Sequence, residues 1–211
     1  MKRILTGLVL GLCLAVWGTS GVGQTCESLC NRDWWQNASK AEVEREISSA
    51  NLNARNSSGV TPLMYVAESG TAGNIVALVK AGADVNARDL RNGWTALMYA
   101  ATFGSVDNIP VLLRAGANVN PREENGRTAL MYAALFGSLD NVRALVEAGA
   151  DVKIRDKAGW TAWMFLEERF EGREKTEDYW KTRDVLWTDL MSDLACMCSG
   201  KNCKAVEAGT K

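Results

Sequence analysis

The sequence predicts an all-α solenoid of stacked helix-turn-helix units joined by short hairpin-like loops, about five units once a cap at each end is included. Three observations predict it. Near-identical segments recur with a period of 33 or 34 residues. Each carries a threonine that starts a helix and glycines that stop one, at fixed offsets. Each implied helix is barely two turns long, too short to hold a core by itself, so neighbouring units must stack.

The repeated segments are Gly59-Val-Thr-Pro-Leu-Met-Tyr-Val-Ala67, Gly93-Trp-Thr-Ala-Leu-Met-Tyr-Ala-Ala101 and Gly126-Arg-Thr-Ala-Leu-Met-Tyr-Ala-Ala134, with a degraded copy starting at Gly159-Trp-Thr-Ala-Trp-Met-Phe165. Their initial glycines lie 34, 33 and 33 residues apart. Each full unit closes on one theme, Ala81-Gly-Ala-Asp-Val-Asn86, Ala115-Gly-Ala-Asn-Val-Asn120 and Ala148-Gly-Ala-Asp-Val-Lys153. The one extra residue sits between Arg88 and Gly93, in a connection, where length changes are tolerated.

The chain begins with a basic pair, Lys2 and Arg3, then a largely apolar stretch from Ile4 to Trp17, then small residues from Gly18 to Gly23. That order predicts a signal peptide over 1–23, removed after Gly23. The apolar run is short of the roughly 20 residues that span a bilayer, so no membrane insertion is expected after cleavage and a permanent anchor is the weaker alternative. Leu12 before Cys13 is too large for a lipid-modified cysteine. The repeat domain is expected over 24–191, with a cap at 26–58, repeats at 59–92, 93–125 and 126–158, and a cap at 159–191, followed by a cysteine-containing tail at 192–211.

In the front cap, Trp34 and Trp35 end one expected helix, and Ser39-Lys-Ala-Glu42 reads as a capping box opening a second that runs through Ile47. In each repeat, Thr61, Thr95 or Thr128 caps a first helix, Pro62 suits its first position, and Gly70, Gly104 or Gly137 ends it. A second helix follows, with apolar positions such as Ile75, Leu78 and Val79 or Val142, Leu145 and Val146, and stops at Gly82, Gly116 or Gly149. In the back cap a longer helix, from about Thr176 through Met191, offers Trp180, Val185, Leu186 and Leu190 to the core.

This pattern resembles the ankyrin repeat, whose units share the period and a Thr-Pro-Leu-His-x-Ala helix start. The resemblance covers roughly residues 53–165 by clear motif. It departs at one place: the usual histidine is Met64, Met98, Met131 or Met164, and the chain has no histidine. In the family that histidine ties neighbouring loops, so the exchange trades a polar tie for apolar packing. Spread along the stack, the methionines read as core filling and not as a metal site.

The resemblance implies a protein partner held on a concave surface made by the loop tips and the exposed side of the first helices. It places there Arg55, Arg88, Arg122 and Arg155, the loop residues Trp94, Arg127 and Trp160, and the aromatic residues Tyr99 and Tyr132 with Phe103 and Phe136 near the helix ends. Aromatic residues and arginine are the usual anchors of interfaces. The plainer alternative pairs the arginines with Asp89, Glu123 and Asp156 and packs the tyrosines between helices. Trp94 and Trp160 are the sharper candidates, because a loop-tip tryptophan has little structural reason to be there.

Composition excludes several other functions. The 211 residues are 47% hydrophobic and 23% charged, as expected of a folded domain. Losing Lys2 and Arg3 from 24 basic residues leaves 22 against 25 acidic ones, no excess with which to neutralise phosphates, so nucleic acid is not an expected partner. Without histidine, a phosphate loop or a nucleophile elbow, no catalytic site, cofactor or metal is expected.

Of six cysteines, five follow the leader: Cys26, Cys30, Cys196, Cys198 and Cys203. Export favours disulfides. Cys26 can pair with Cys30, and Cys203 with Cys196 or Cys198; the odd thiol stays free or joins another chain. Cys196-Met-Cys198 is not a Cys-x-x-Cys redox motif, which makes thiol exchange the least favoured role. By resemblance to bacterial exported ankyrin proteins, the expected setting is periplasmic or secreted. Three uses stay open: an immunity protein blocking a toxin, an accessory of oxidative-stress defence, and a secreted effector.

Overall fold

A computed structural model describes residues 28–171 and 175–187. After a 3-10 turn at Ser28–Cys30 come α1 (Arg32–Asn37), α2 (Lys40–Ser49), α3 (Pro62–Ser69), α4 (Ala72–Lys80), α5 (Ala96–Phe103), α6 (Asn108–Arg114), α7 (Ala129–Phe136), α8 (Leu139–Glu147) and α9 (Ala162–Arg169), and residues 177–187 are helical. Among the described residues there is no strand, and no helix is long and apolar enough to cross a membrane. Residues 1–23, expected to be a signal peptide, and Cys26, Cys196, Cys198 and Cys203 lie outside the described residues; Cys30 is disulfide-bonded.

The helices form two layers. α1, α3, α5, α7 and α9 stack in one, and α2, α4, α6 and α8 in the other. The first layer packs more closely than the second. Side-chain size supplies the reason: Ala67, Ala100, Ala101, Ala133 and Ala134 are fully buried in the first, whereas the second inserts Ile75, Leu78, Ile109, Leu112, Val142 and Leu145. Tighter spacing on one side curves the stack, so the first helices line its concave side. Each fully buried leucine or isoleucine contributes about 1.5–3 kcal/mol, and the helices that carry them pack on those of the neighbouring units, so stability comes from stacking.

Helix starts follow the threonines. Thr61, Thr95, Thr128 and Thr161 are extended N-cap residues. Thr128 and Thr161 accept hydrogen bonds from the amides of Met131 and Met164, whereas the buried hydroxyls of Thr61 and Thr95 have no partner. The histidine-to-methionine exchange is not purely apolar either: the Thr61 N–H donates to the Met64 sulfur at 3.4 Å. Met64, Met98 and Met131 are buried between units, but Met164 is 40% exposed.

Glycine ends the first helices for a reason that backbone freedom does not supply. Gly104 and Gly137 have φ of −80° and −78°, open to any residue. A Cβ on Gly104 would stand 2.3 Å from the carbonyl oxygen of Ala67, and one on Gly137 2.5 Å from that of Ala101. These glycines permit the close approach of consecutive units. Beside them, Asn108 donates to the carbonyls of Ala67 and Gly70 at 3.2 and 3.3 Å, and Asn141 to that of Ala101 at 3.1 Å. In the last unit Arg169 does the same work, reaching the carbonyls of Ala134 and Gly137.

At the front, α2 opens on the expected capping box, with the Ser39 N–H donating to Glu42 at 2.8 Å, and these hydrogen bonds hold the Glu42 carboxyl below its ordinary range. Trp35 is buried and donates to the Leu29 carbonyl at 2.8 Å, while Arg32 pairs with Glu68 of the next unit. At the back, the stripe facing the core is Tyr179, Thr182 and Leu186. Trp180, expected in the core, is 42% exposed, and Leu190 lies outside the described residues.

Candidate partner-binding face

The connections between units are hairpin tips organised by one side chain each: the half-buried Asn56 or the buried Asp89, Glu123 or Asp156. Asp89 accepts from the amides of Asn92, Gly93 and Trp94 at 2.9–3.1 Å and from the Tyr99 hydroxyl at 2.9 Å. Glu123 accepts from Asn125 and Arg127, Asp156 from Ala158 and Trp160, and Asn56 from Ser58 and Val60. Only a side-chain acceptor two residues or more behind the turn can collect these amides, so acids at these positions are committed to the loop. Gly126, with φ 81°, supplies the left-handed residue that the turn requires.

The arginine column is committed in a complementary way. Arg88 donates to the carbonyl of Gly93 in its own loop at 3.1 Å and to that of Arg122 in the next at 2.7 Å. Arg122 repeats this with Gly126 at 3.2 Å and Arg155 at 2.7 Å, and Arg55 with Gly59 and Arg88. Arg155 reaches Gly159 at 2.8 Å. The arginines therefore clamp loop to loop through carbonyls, and none of the four has an ion pair to Asp89, Glu123 or Asp156. A parallel ladder of Asn53, Asn86 and Asn120 joins the unit endings, with Asn86 donating to Gly116 and accepting from Asn118.

Trp94 has a structural role that its loop position did not suggest. It is half-buried, with its ring 5.3 Å from Tyr99, 6.3 Å from Phe103 and 4.3 Å from Tyr132 of the next unit, and its indole N–H is buried without a hydrogen-bond partner. Trp160 is likewise half-buried against Phe165 at 5.3 Å. Burial, reinforced by the Asp89 bond, pushes the Tyr99 hydroxyl well above its ordinary range. Burial and then Glu123 also raise the Tyr132 hydroxyl. Arg127 pairs with Asp156 at 3.2 Å and lies over the Phe165 ring at 4.7 Å.

Two residues of the expected face stand clear. Phe103 and Phe136 occupy equivalent positions at the ends of α5 and α7 and are 59% and 58% exposed. An aromatic side chain is thus presented twice, one unit apart, at the ends of helices otherwise sealed into the stack. Arg88, Arg122 and Arg155 are exposed side chains whose guanidinium groups are partly engaged by loop carbonyls. Sequence reasoning missed Leu90, 71% exposed. Leu90 belongs to the loop that carries the extra residue, and that irregularity was the available signal. Among the described residues no group of three or more acids, cysteines or histidines is placed to hold a metal.

Residues 63–156 match the family model for ankyrin repeats in three copies, while no curated protein matches the chain. The match begins in α3 and runs through the three full units to the hairpin that precedes α9. With their threonine-capped helix pairs, glycine-spaced hairpins and two-layer stacking, residues 63–156 are three ankyrin repeats within an all-α solenoid.

Proposed function

We propose that this chain is an exported binding module that holds another protein on its concave face without catalysing a reaction. Ankyrin repeats are protein-binding scaffolds, and the single observation that carries the reading here is the paired exposure of Phe103 and Phe136. Phe103 touches Trp94 on one side, yet both phenylalanines leave more than half of their surface open at repeat-equivalent positions, and large exposed aromatics are the residues a partner most often covers. Export rests on the basic, apolar and small-residue order of residues 1–23.

The test is capture by crosslinking from an exported fraction, with the parent beside a Phe103→Ser, Phe136→Ser double variant shown by circular dichroism to be folded. A partner taken by the parent and lost by the variant supports the face. Recovery of the same partner by both moves the site elsewhere. The captured protein also separates the uses: a toxin marks an immunity protein, and a peroxide-detoxifying enzyme marks an accessory of oxidative-stress defence.

A further inference from the structure

The last unit differs from the others in what lies beyond it. In the full units the methionine after the helix-start leucine is sealed by the next inner helix, but among the described residues no inner helix follows α9, which meets the helix at 177–187 through Trp163 and Trp187 at 5.3 Å, and Met164 is exposed. Trp163 stands where Leu63, Leu97 and Leu130 are buried. The result is a cavity of about 790 Å³ lined by Trp160, Trp163, Met164, Glu168, Glu171 and Lys175, within the size range of small-ligand pockets.

Its chemistry is visible in what the neighbouring rings already hold. Every cation-ring contact among the described residues falls on an aromatic ring of this unit: Arg127 over Phe165 at 4.7 Å, Arg169 over Phe170 at 5.3 Å, Lys175 over Tyr179 at 4.6 Å and Trp180 at 5.8 Å, and Arg183 over Trp180 at 4.6 Å. Lys175 also donates to the Tyr179 hydroxyl at 3.0 Å and to Glu167 at 3.3 Å, a ring-and-carboxylate setting for an ammonium. Trp160 and Trp163 carry no such cation, and Glu168 and Glu171 have no ion pair among the described residues.

From this we infer that the cavity binds a trimethylammonium head group, held by the faces of Trp160 and Trp163 and balanced by Glu168 and Glu171. Indole faces attract cations most strongly; of the three carboxylates that line the cavity Glu167 is taken by Tyr179 and Lys175, and the two left offer too few directed acceptors for a metal ion or a strongly hydrated ammonium. A quaternary ammonium loses little hydration and needs no hydrogen bonds. The site is independent of the Phe103 and Phe136 pair.

The experiment follows the indole N–H signals of the full chain labelled with ¹⁵N-tryptophan, assigned through Trp160→Phe and Trp163→Phe. Choline is titrated beside its neutral isostere, 3,3-dimethylbutan-1-ol. The expected result is a saturable shift of the Trp160 and Trp163 signals with choline and binding of the isostere weaker by about tenfold or more. The Glu168→Gln, Glu171→Gln variant, altered only at exposed positions, should stay folded and bind choline at least about threefold more weakly. A trimethyllysine peptide separates the sources: comparable affinity marks a free small molecule, and much tighter binding marks a head group presented by a polypeptide. Absence of a shift with both choline and the peptide, equal binding of the isostere, or unchanged binding by the double variant overturns the proposal.

Discussion

Replacing Arg122 with methionine keeps the apolar stem and removes two charged donors, the one to Gly126 within its loop and the one to Arg155 in the next. Both bonds lie near solvent, which places each at about 0.8 kcal/mol, within the range for net contributions. Arg122→Met should therefore destabilise the domain by about 1.6 kcal/mol. Arg155→Met, which loses only the bond to Gly159, should cost about 0.8 kcal/mol. The difference between the two isolates the inter-unit bond. Urea denaturation followed by far-ultraviolet circular dichroism reads both, and with a slope of about 2 kcal/mol per molar the midpoints should fall by about 0.8 M and 0.4 M. Equal losses for the two variants, or losses under about 0.3 kcal/mol for both, would refute the clamp and return these arginines to the pool of free partner-binding side chains.

Trp94→Ala should destabilise by about 2–3 kcal/mol, because it opens a gap beneath Tyr132 and Phe103, whereas Trp94→Phe should recover most of that loss by keeping a ring and removing an unpartnered N–H; thermal melts decide. Gly104→Ala should cost more than about 2 kcal/mol while Gly82→Ala, facing open space at φ 102°, loses only about 1 kcal/mol, so a chemical denaturation midpoint that ranks them the other way removes the close-approach argument. Tyr99 gives a pH dependence. Its folded value is raised, so its contribution is fully present below the ordinary tyrosine range near 10 and is lost as pH climbs toward the raised value. Melting temperatures between pH 9 and 11.5 should fall less steeply for Tyr99→Phe than for the parent, and parallel slopes would contradict it.

The stack was legible because its units restate one another: threonine, apolar spacing and glycine pointed to the same helix pairs that α3 to α8 form. The roles of the arginines were not, because their acceptors are backbone carbonyls, which leave no mark on residue type. Trp94 was misread for a related reason. A loop tip looks solvent-facing in a linear chain, and only the stacking of the next unit brings Tyr132 within 4.3 Å. In the back cap the error was one of helical phase. Thr182 interrupts the apolar stripe of Tyr179 and Leu186, so apolar counting selected Trp180, one position further around the helix. Phe103 and Phe136 turn out to be the exposed aromatic residues of the expected face, yet nothing in the sequence distinguished them from the tyrosines four residues earlier, which are half-buried or buried.

The cross-unit ladders share a property with evolutionary weight. Arg88, Asn86 and Asn108 each cross to a main-chain group of the neighbouring unit and not to a particular side chain. A main-chain carbonyl is the same whatever residue carries it. A duplicated or deleted unit would therefore meet its new neighbour with compatible fittings from the first generation, with no second mutation needed to match it. Gene segments encoding such a unit can change in copy number, lengthening or shortening the groove, while the surface positions remain free to diverge toward whatever molecule the host must grip.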